Sequence, residues 1–113
     1  MLIKAIPVLL VADIRATIDF YEAKLGFTGL NYGSYGILKL KTTEIHLVMK
    51  TLKTSHVLSG CLIMVENIED FYTSLCAKGL IELKNKLTEK PWGTKEFTIA
   101  DNNNNLIRFA EKR

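Results

Sequence analysis

The sequence predicts an α+β domain made of two β-α-β-β-β modules, and three observations predict it. The chain repeats itself. Val11-Ala12-Asp13-Ile14 opens a stretch that closes at Gly26, and Val65-Glu66-Asn67-Ile68 opens a matching stretch that closes at Gly79. The openings lie 54 positions apart and the closing glycines 53. Within each stretch apolar residues recur at helical spacing, and outside them the pattern alternates with period two. Two copies of so long a period do not make a solenoid, so the repeat reads as an internal duplication. At 113 residues the chain is expected to form a single domain spanning 1–113. Module 1 covers about 1–50, a linker 51–59 and module 2 about 60–113.

The elements follow in order. Asp13 is suited to cap the first helix, because its carboxylate accepts from the free amides of the first turn. Ile14, Ile18, Tyr21 and Leu25 form the apolar stripe, and Gly26 supplies the left-handed stop. Asn67 begins the second helix. Ile68, Phe71, Tyr72 and Leu75 make its apolar face, and Gly79 ends it. The period-two segments run 3–11, 27–32, 35–41, 44–50, 60–66, 81–87, 95–100 and 105–110. Gly33-Ser34 and residues 102–104 are turns, since Gly and Asn tolerate positive φ.

Hydrophobic residues make up 48% and charged residues 24% of the chain, as in an ordinary globular protein. The apolar runs are too short to span a membrane, and the N-terminus lacks the pattern of a secretion signal. Cys61 and Cys76 have no CxxC spacing and are expected to be buried thiols in a reducing cytoplasm. Net charge is +3, with the fifteen Lys and Arg scattered, which argues against a nucleic-acid partner. Lys84, Lys86 and Lys90 come nearest to a patch and are read as a solvated strand edge that blocks aggregation. No GxSxG, phosphate-cradling glycine loop or HExxH is present.

Successive strand residues point to opposite faces. Leu38, Leu40, Ile45, Leu47, Met49, Phe97, Ile99, Ile107 and Phe109 fall on one face, which must pack on the helices. Tyr35, Lys39, Glu44, His46, Glu96 and Arg108 fall on the other among apolar neighbours. That second face is either a wet sheet surface or, if the sheet curls, the wall of a binding groove.

These segments together resemble the glyoxalase / bleomycin resistance / extradiol dioxygenase superfamily, the vicinal oxygen chelate fold. The likeness rests on Ile6-Pro7-Val8-Leu9 with Val11-Ala12-Asp13-Ile14, and on Ile18-Asp19-Phe20-Tyr21 with Leu25-Gly26-Phe27. It rests further on Pro91-Trp92-Gly93 with Glu96-Phe97, and on the stretch from Asp101 to Phe109. That last stretch is similar to the family's Asp-Pro-Asp-Gly-Asn-Leu-Ile-Arg-Phe, with asparagines here in place of Pro, Asp and Gly. The resemblance implies a curved mixed sheet with helices on one face. In the metal-dependent members four strand positions carry His and Glu ligands, and by spacing these fall on Ile6, His46, Gly60 and Arg108. Isoleucine and glycine side chains offer no donor, and guanidinium does not deprotonate. The resemblance therefore points to the metal-free bleomycin-resistance-like branch: no metal, no cofactor and no catalytic residue.

That branch implies non-catalytic sequestration of a drug or metabolite, as in antibiotic resistance, in a groove at the interface of a homodimer. The candidate ligand-binding residues are Tyr32, Tyr35, Lys39, His46, Trp92, Glu96 and Arg108. Bland alternatives stand beside three of them: His46 as a hydrogen-bonded wall residue, Trp92 as a loop anchor, and Arg108 as an internal partner of Glu96 or Glu44. One departure concerns charge. The resistance proteins resemble one another in being acidic and their drugs are cationic, whereas this chain is basic. The alternative function is a metal-dependent glyoxalase- or dioxygenase-like lyase or isomerase with an atypical site.

Overall fold

The computed structural model describes residues 1–113. Its elements are β1 (Val8–Val11), α1 (Ile14–Leu25), β2 (Thr28–Asn31), β3 (Tyr35–Leu40), β4 (Thr43–Met49), β5 (Gly60–Met64), α2 (Ile68–Ala77), a 3₁₀ turn (Leu83–Asn85), β6 (Thr88–Glu89), β7 (Thr94–Ala100) and β8 (Leu106–Lys112). The order is β-α-β-β-β twice, as the duplication predicts. The mixed sheet takes the form of two four-stranded sheets with identical topology, β1-β4-β3-β2 and β5-β8-β7-β6. In each, the first strand of the module runs parallel to the last and the other pairs are antiparallel. The chain divides into two compact units, Met1–Ser59 with Asn102–Asn105, and Gly60–Asp101 with Leu106–Arg113.

In the first unit the helical stripe behaves as its spacing requires. Ile14, Ile18, Tyr21 and Leu25 are buried, as are Leu9, Val11, Leu38, Ile45 and Leu47 of the sheet. Asp13 caps α1, its Oδ1 accepting from the Ala16 amide at 2.8 Å. Gly26 stops it at φ 81° and donates to the Glu22 carbonyl. The helix lies so close to β2 that a Cβ on Gly29 would fall 2.4 Å from Ile18 Cγ2. Asn105 is fully buried in this unit. Its Oδ1 accepts from the Ser59 amide and hydroxyl, and its Nδ2 donates to the Leu10 carbonyl.

In the second unit Ile68 and Leu75 of α2 are buried with Phe97, Ile99, Ile107 and Phe109. Phe71 stacks edge-on against Phe109 with ring centroids 4.9 Å apart. Asn67 does not cap α2 with its own side chain. It sits in the left-handed region at φ 53°, and the Glu111 carboxylate of β8 takes over. That carboxylate accepts from the Asn67 and Ile68 amides at 3.2 and 3.1 Å.

Three expectations need correction. Residues 81–87 do not form a strand; they hold the 3₁₀ turn, and the sixth strand is only Thr88–Glu89. The alternation there is not rewarded by burial, since Leu83 is 85% exposed, and Lys and Asn are poor strand formers. Cys76 is exposed, and Cys61 is only part-buried. Cys76 follows Leu75, and one residue turns a helix by about 100°, which carries the thiol off the packed face. The first strand begins at Val8, because only Val8–Val11 pairs with β4. No helix is long and apolar enough to cross a membrane.

Candidate functional site

The candidate residues fall into two clusters, one in each unit. In the first unit the register places Tyr35 opposite Val48, Ile37 opposite His46 and Lys39 opposite Glu44, all on the face away from α1. Tyr35 and His46 meet edge-on, with the Tyr35 hydroxyl 2.7 Å from Nδ1. His46 Nε2 lies 2.6 Å from Glu44 Oε2, and Lys4 Nζ lies 3.1 Å from Glu44 Oε1. A carboxylate only accepts, so Nε2 carries the proton toward Glu44, and in the neutral ring Nδ1 accepts from the tyrosine hydroxyl. The hydrogen bonds from His46 and Lys4, with the charges of Lys4 and Lys39, hold the Glu44 carboxyl below its ordinary range. Both ring nitrogens of His46 are thus engaged. Tyr32 stands apart on the β2–β3 turn, 65% exposed.

In the second unit the cluster is centred on Glu96 of β7, whose side chain is 4% exposed. Oε1 accepts from Arg108 Nη2 at 2.8 Å. Oε2 accepts from the Trp92 indole at 2.9 Å and from the Thr94 hydroxyl at 2.6 Å. Burial pushes the Glu96 carboxyl up, but the donors from Thr94, Arg108 and Trp92 outweigh it and bring it to about 2. Trp92 lies in the β6–β7 hairpin loop, whose turn needs Gly93 at φ 91°. Its ring stays 64% exposed while its edge is tied to Glu96. Lys90 Nζ sits 5.9 Å from the ring centroid. Arg108 therefore does pair internally with Glu96, while remaining 45% exposed.

These residues border a cavity of about 370 Å³, lined by Lys84, Lys86, Lys90, Trp92, Glu96 and Arg108 among others. The volume is that of a site for a small organic molecule. Lys84, Lys86 and Lys90 are the residues that the sequence reading assigned to a strand edge. The 3₁₀ turn and the loop after it place Lys84 and Lys86 on the cavity wall instead, and the β6–β7 hairpin loop places Lys90 there. The one sequence signal for this was three lysines within seven residues around Asn85, a poor strand residue.

Three of the four positions that carry metal ligands in metal-dependent members do not suit a divalent ion, His46 being the exception. The Ile6 and Gly60 side chains have no donor, and Arg108 is a cation bound to Glu96. Position 60 has no room for a longer side chain, because a Cβ there would lie 2.4 Å from the Leu106 carbonyl oxygen. Burial and the Asp101 carboxylate push the neighbouring Cys61 thiol up to about 11, which keeps it protonated and a poor ligand at neutral pH.

The family model described as Glyoxalase/Bleomycin resistance protein/Dioxygenase superfamily matches residues 5–109. A bleomycin resistance protein of Geobacillus stearothermophilus is 29% identical, the alignment covering 98% of each chain. Among solved structures, a glyoxalase-related enzyme from Clostridium phytofermentans superposes with a TM-score of 0.81 at 20% identity, covering 100% of this chain and 97% of that one. The bleomycin-binding protein from bleomycin-producing Streptomyces verticillus, complexed with copper(II)-bleomycin, gives 0.81 at 18% identity, covering 100% and 98%. At such identities the structural likeness speaks to the fold alone.

Proposed function

Because the chain belongs to the glyoxalase/bleomycin resistance protein/dioxygenase superfamily and three of its four ligand positions do not suit a metal, we propose that it binds a small organic molecule without chemistry. It acts by sequestration in the cytoplasm, as a homodimer with its ligand in a groove at the subunit interface. The observation that carries this reading is the Trp92 cavity. An aromatic ring that is largely exposed, yet fixed through its N–H to a buried carboxylate, is a preformed stacking platform. Stacking on it contributes roughly 0.5–1.5 kcal/mol beyond area burial, and fixing it beforehand reduces the entropy lost on binding. The 29% identical bleomycin resistance protein supports drug sequestration as the form this takes.

The exposed apolar side chains on the open sheet faces support the dimer. Val8 and Leu30 in the first unit, and Leu62, Met64 and Leu106 in the second, are each 48% exposed or more. Apolar surface of this kind is usually covered by a partner, and two-fold pairing is the commonest way. The binding reading is tested by screening planar dyes and antibiotics by calorimetry against the wild type and Trp92→Ala. Binding should weaken by roughly 1–3 kcal/mol in the variant, the scale of losing an aromatic anchor. A ligand held equally well by both proteins would place the site elsewhere.

A further inference from the structure

We infer that the molecule received by the Trp92 cavity is an anion, a planar aromatic ring carrying a carboxylate, sulfonate or phosphate group. The inference rests on the binding reading above and narrows it to a ligand class. The cavity wall holds four cationic side chains, Lys84, Lys86, Lys90 and Arg108, against one carboxylate, Glu96. That carboxylate is largely committed. Arg108 donates to Oε1, Trp92 and Thr94 donate to Oε2, and the side chain is 4% exposed with its charge already paired to Arg108, so it offers little to an incoming cation. Lys84 is partly offset by Glu82 at 3.6 Å, a pair largely in solvent. Lys86 and Lys90 have no carboxylate within ion-pair distance.

Position matters as much as number. Lys90 Nζ lies over the Trp92 ring, 5.9 Å from its centroid, so a ligand that stacks on the indole lies beside this ammonium. A cationic ligand would meet like charge there and would compete with Lys90 for the indole face. An anionic ligand would pair with Lys90 and Lys86, and with the Arg108 donors that Glu96 does not use.

The test uses two probes of the same shape and opposite charge, 1-pyrenesulfonate and (1-pyrenylmethyl)trimethylammonium. Trp92 is the only tryptophan of the chain, so quenching of its emission reports binding beside it. At low salt the sulfonate should bind about tenfold more tightly or better, and the advantage should shrink as salt is raised. The double variant Lys86→Gln/Lys90→Gln, which alters exposed or half-exposed side chains, should lose about tenfold in sulfonate affinity and none in ammonium affinity. Thermal unfolding run in parallel should match the wild type. Equal or tighter binding of the ammonium probe, or sulfonate affinity indifferent to the double variant, overturns the inference and leaves the binding reading standing. Failure of both probes to bind at millimolar concentration overturns both.

Discussion

Glu96 is a buried carboxylate whose acidity is set by its three donors, and it makes stability depend on pH in one direction. Its folded value of about 2 lies below the ordinary 4.5. A depressed carboxyl stabilises the folded state above its unfolded pKa, and that contribution disappears as pH falls through the folded value. The loss therefore falls between about 4.5 and about 2. Urea melts of Glu96→Gln should show a flatter acid limb than the wild type over this window; parallel limbs would mean that Glu96 is not the group responsible. Arg108 and Phe109 are sequence neighbours on opposite faces. Arg108→Ala removes one donor from Glu96 and should cost about 1.5–3 kcal/mol, the scale of a hydrogen bond to a charged group. Phe109, 2% exposed among Phe71 and Phe97, should cost about 3–5 kcal/mol as Phe109→Ala. Denaturant midpoints of the two variants separate the faces, and equal losses would contradict the assignment.

At the scale of elements, α2 begins without help from its own first residue. Glu111, 43 residues away from Ile68, accepts from the amides that Asn67 leaves open and places negative charge at the positive end of the helix. Glu111→Ala should destabilise the protein by about 1–2 kcal/mol and speed hydrogen exchange of the α2 amides before those of α1. Unchanged exchange in α2 would show the cap to be idle. The same element shows why some features could be read from sequence and others not. The stripe of Ile14, Ile18, Tyr21 and Leu25 is a local pattern, and all four residues are buried. The face assignments of β3, β4, β7 and β8 rest on alternation, which is also local, and they put Tyr35 beside His46 and Glu96 beside Arg108. Glu111 at α2 and Asn105 at Leu10 are long-range partners that no window of neighbouring residues contains. Residues 81–87 alternate like a strand, but alternation cannot tell whether an edge is present to pair with, and β7 pairs with only Thr88 and Glu89. For that reason the lysine wall of the cavity was not legible, although its tryptophan and arginine were.

At the scale of the whole molecule, the open sheet faces leave apolar side chains in solvent, and the dimer is the expected remedy. Sedimentation at micromolar concentration should give twice the 12.8 kDa chain mass. A mass that stays at the single-chain value as concentration rises would refute the dimer. The doubled plan of the chain carries one further consequence. Asn102–Asn105 comes from the second half of the sequence but belongs to the first unit. There Asn103 accepts from the Ala12 amide and donates to the Thr17 hydroxyl, while Asn105 ties Leu10 to Ser59. A gene cut after Ser59 would yield a first half without Asn105, which binds its opening strand to its end, and without Asn103, which ties Ala12 to α1. A fragment of residues 1–59 is therefore expected to fold less well alone than with a peptide of residues 102–105 added.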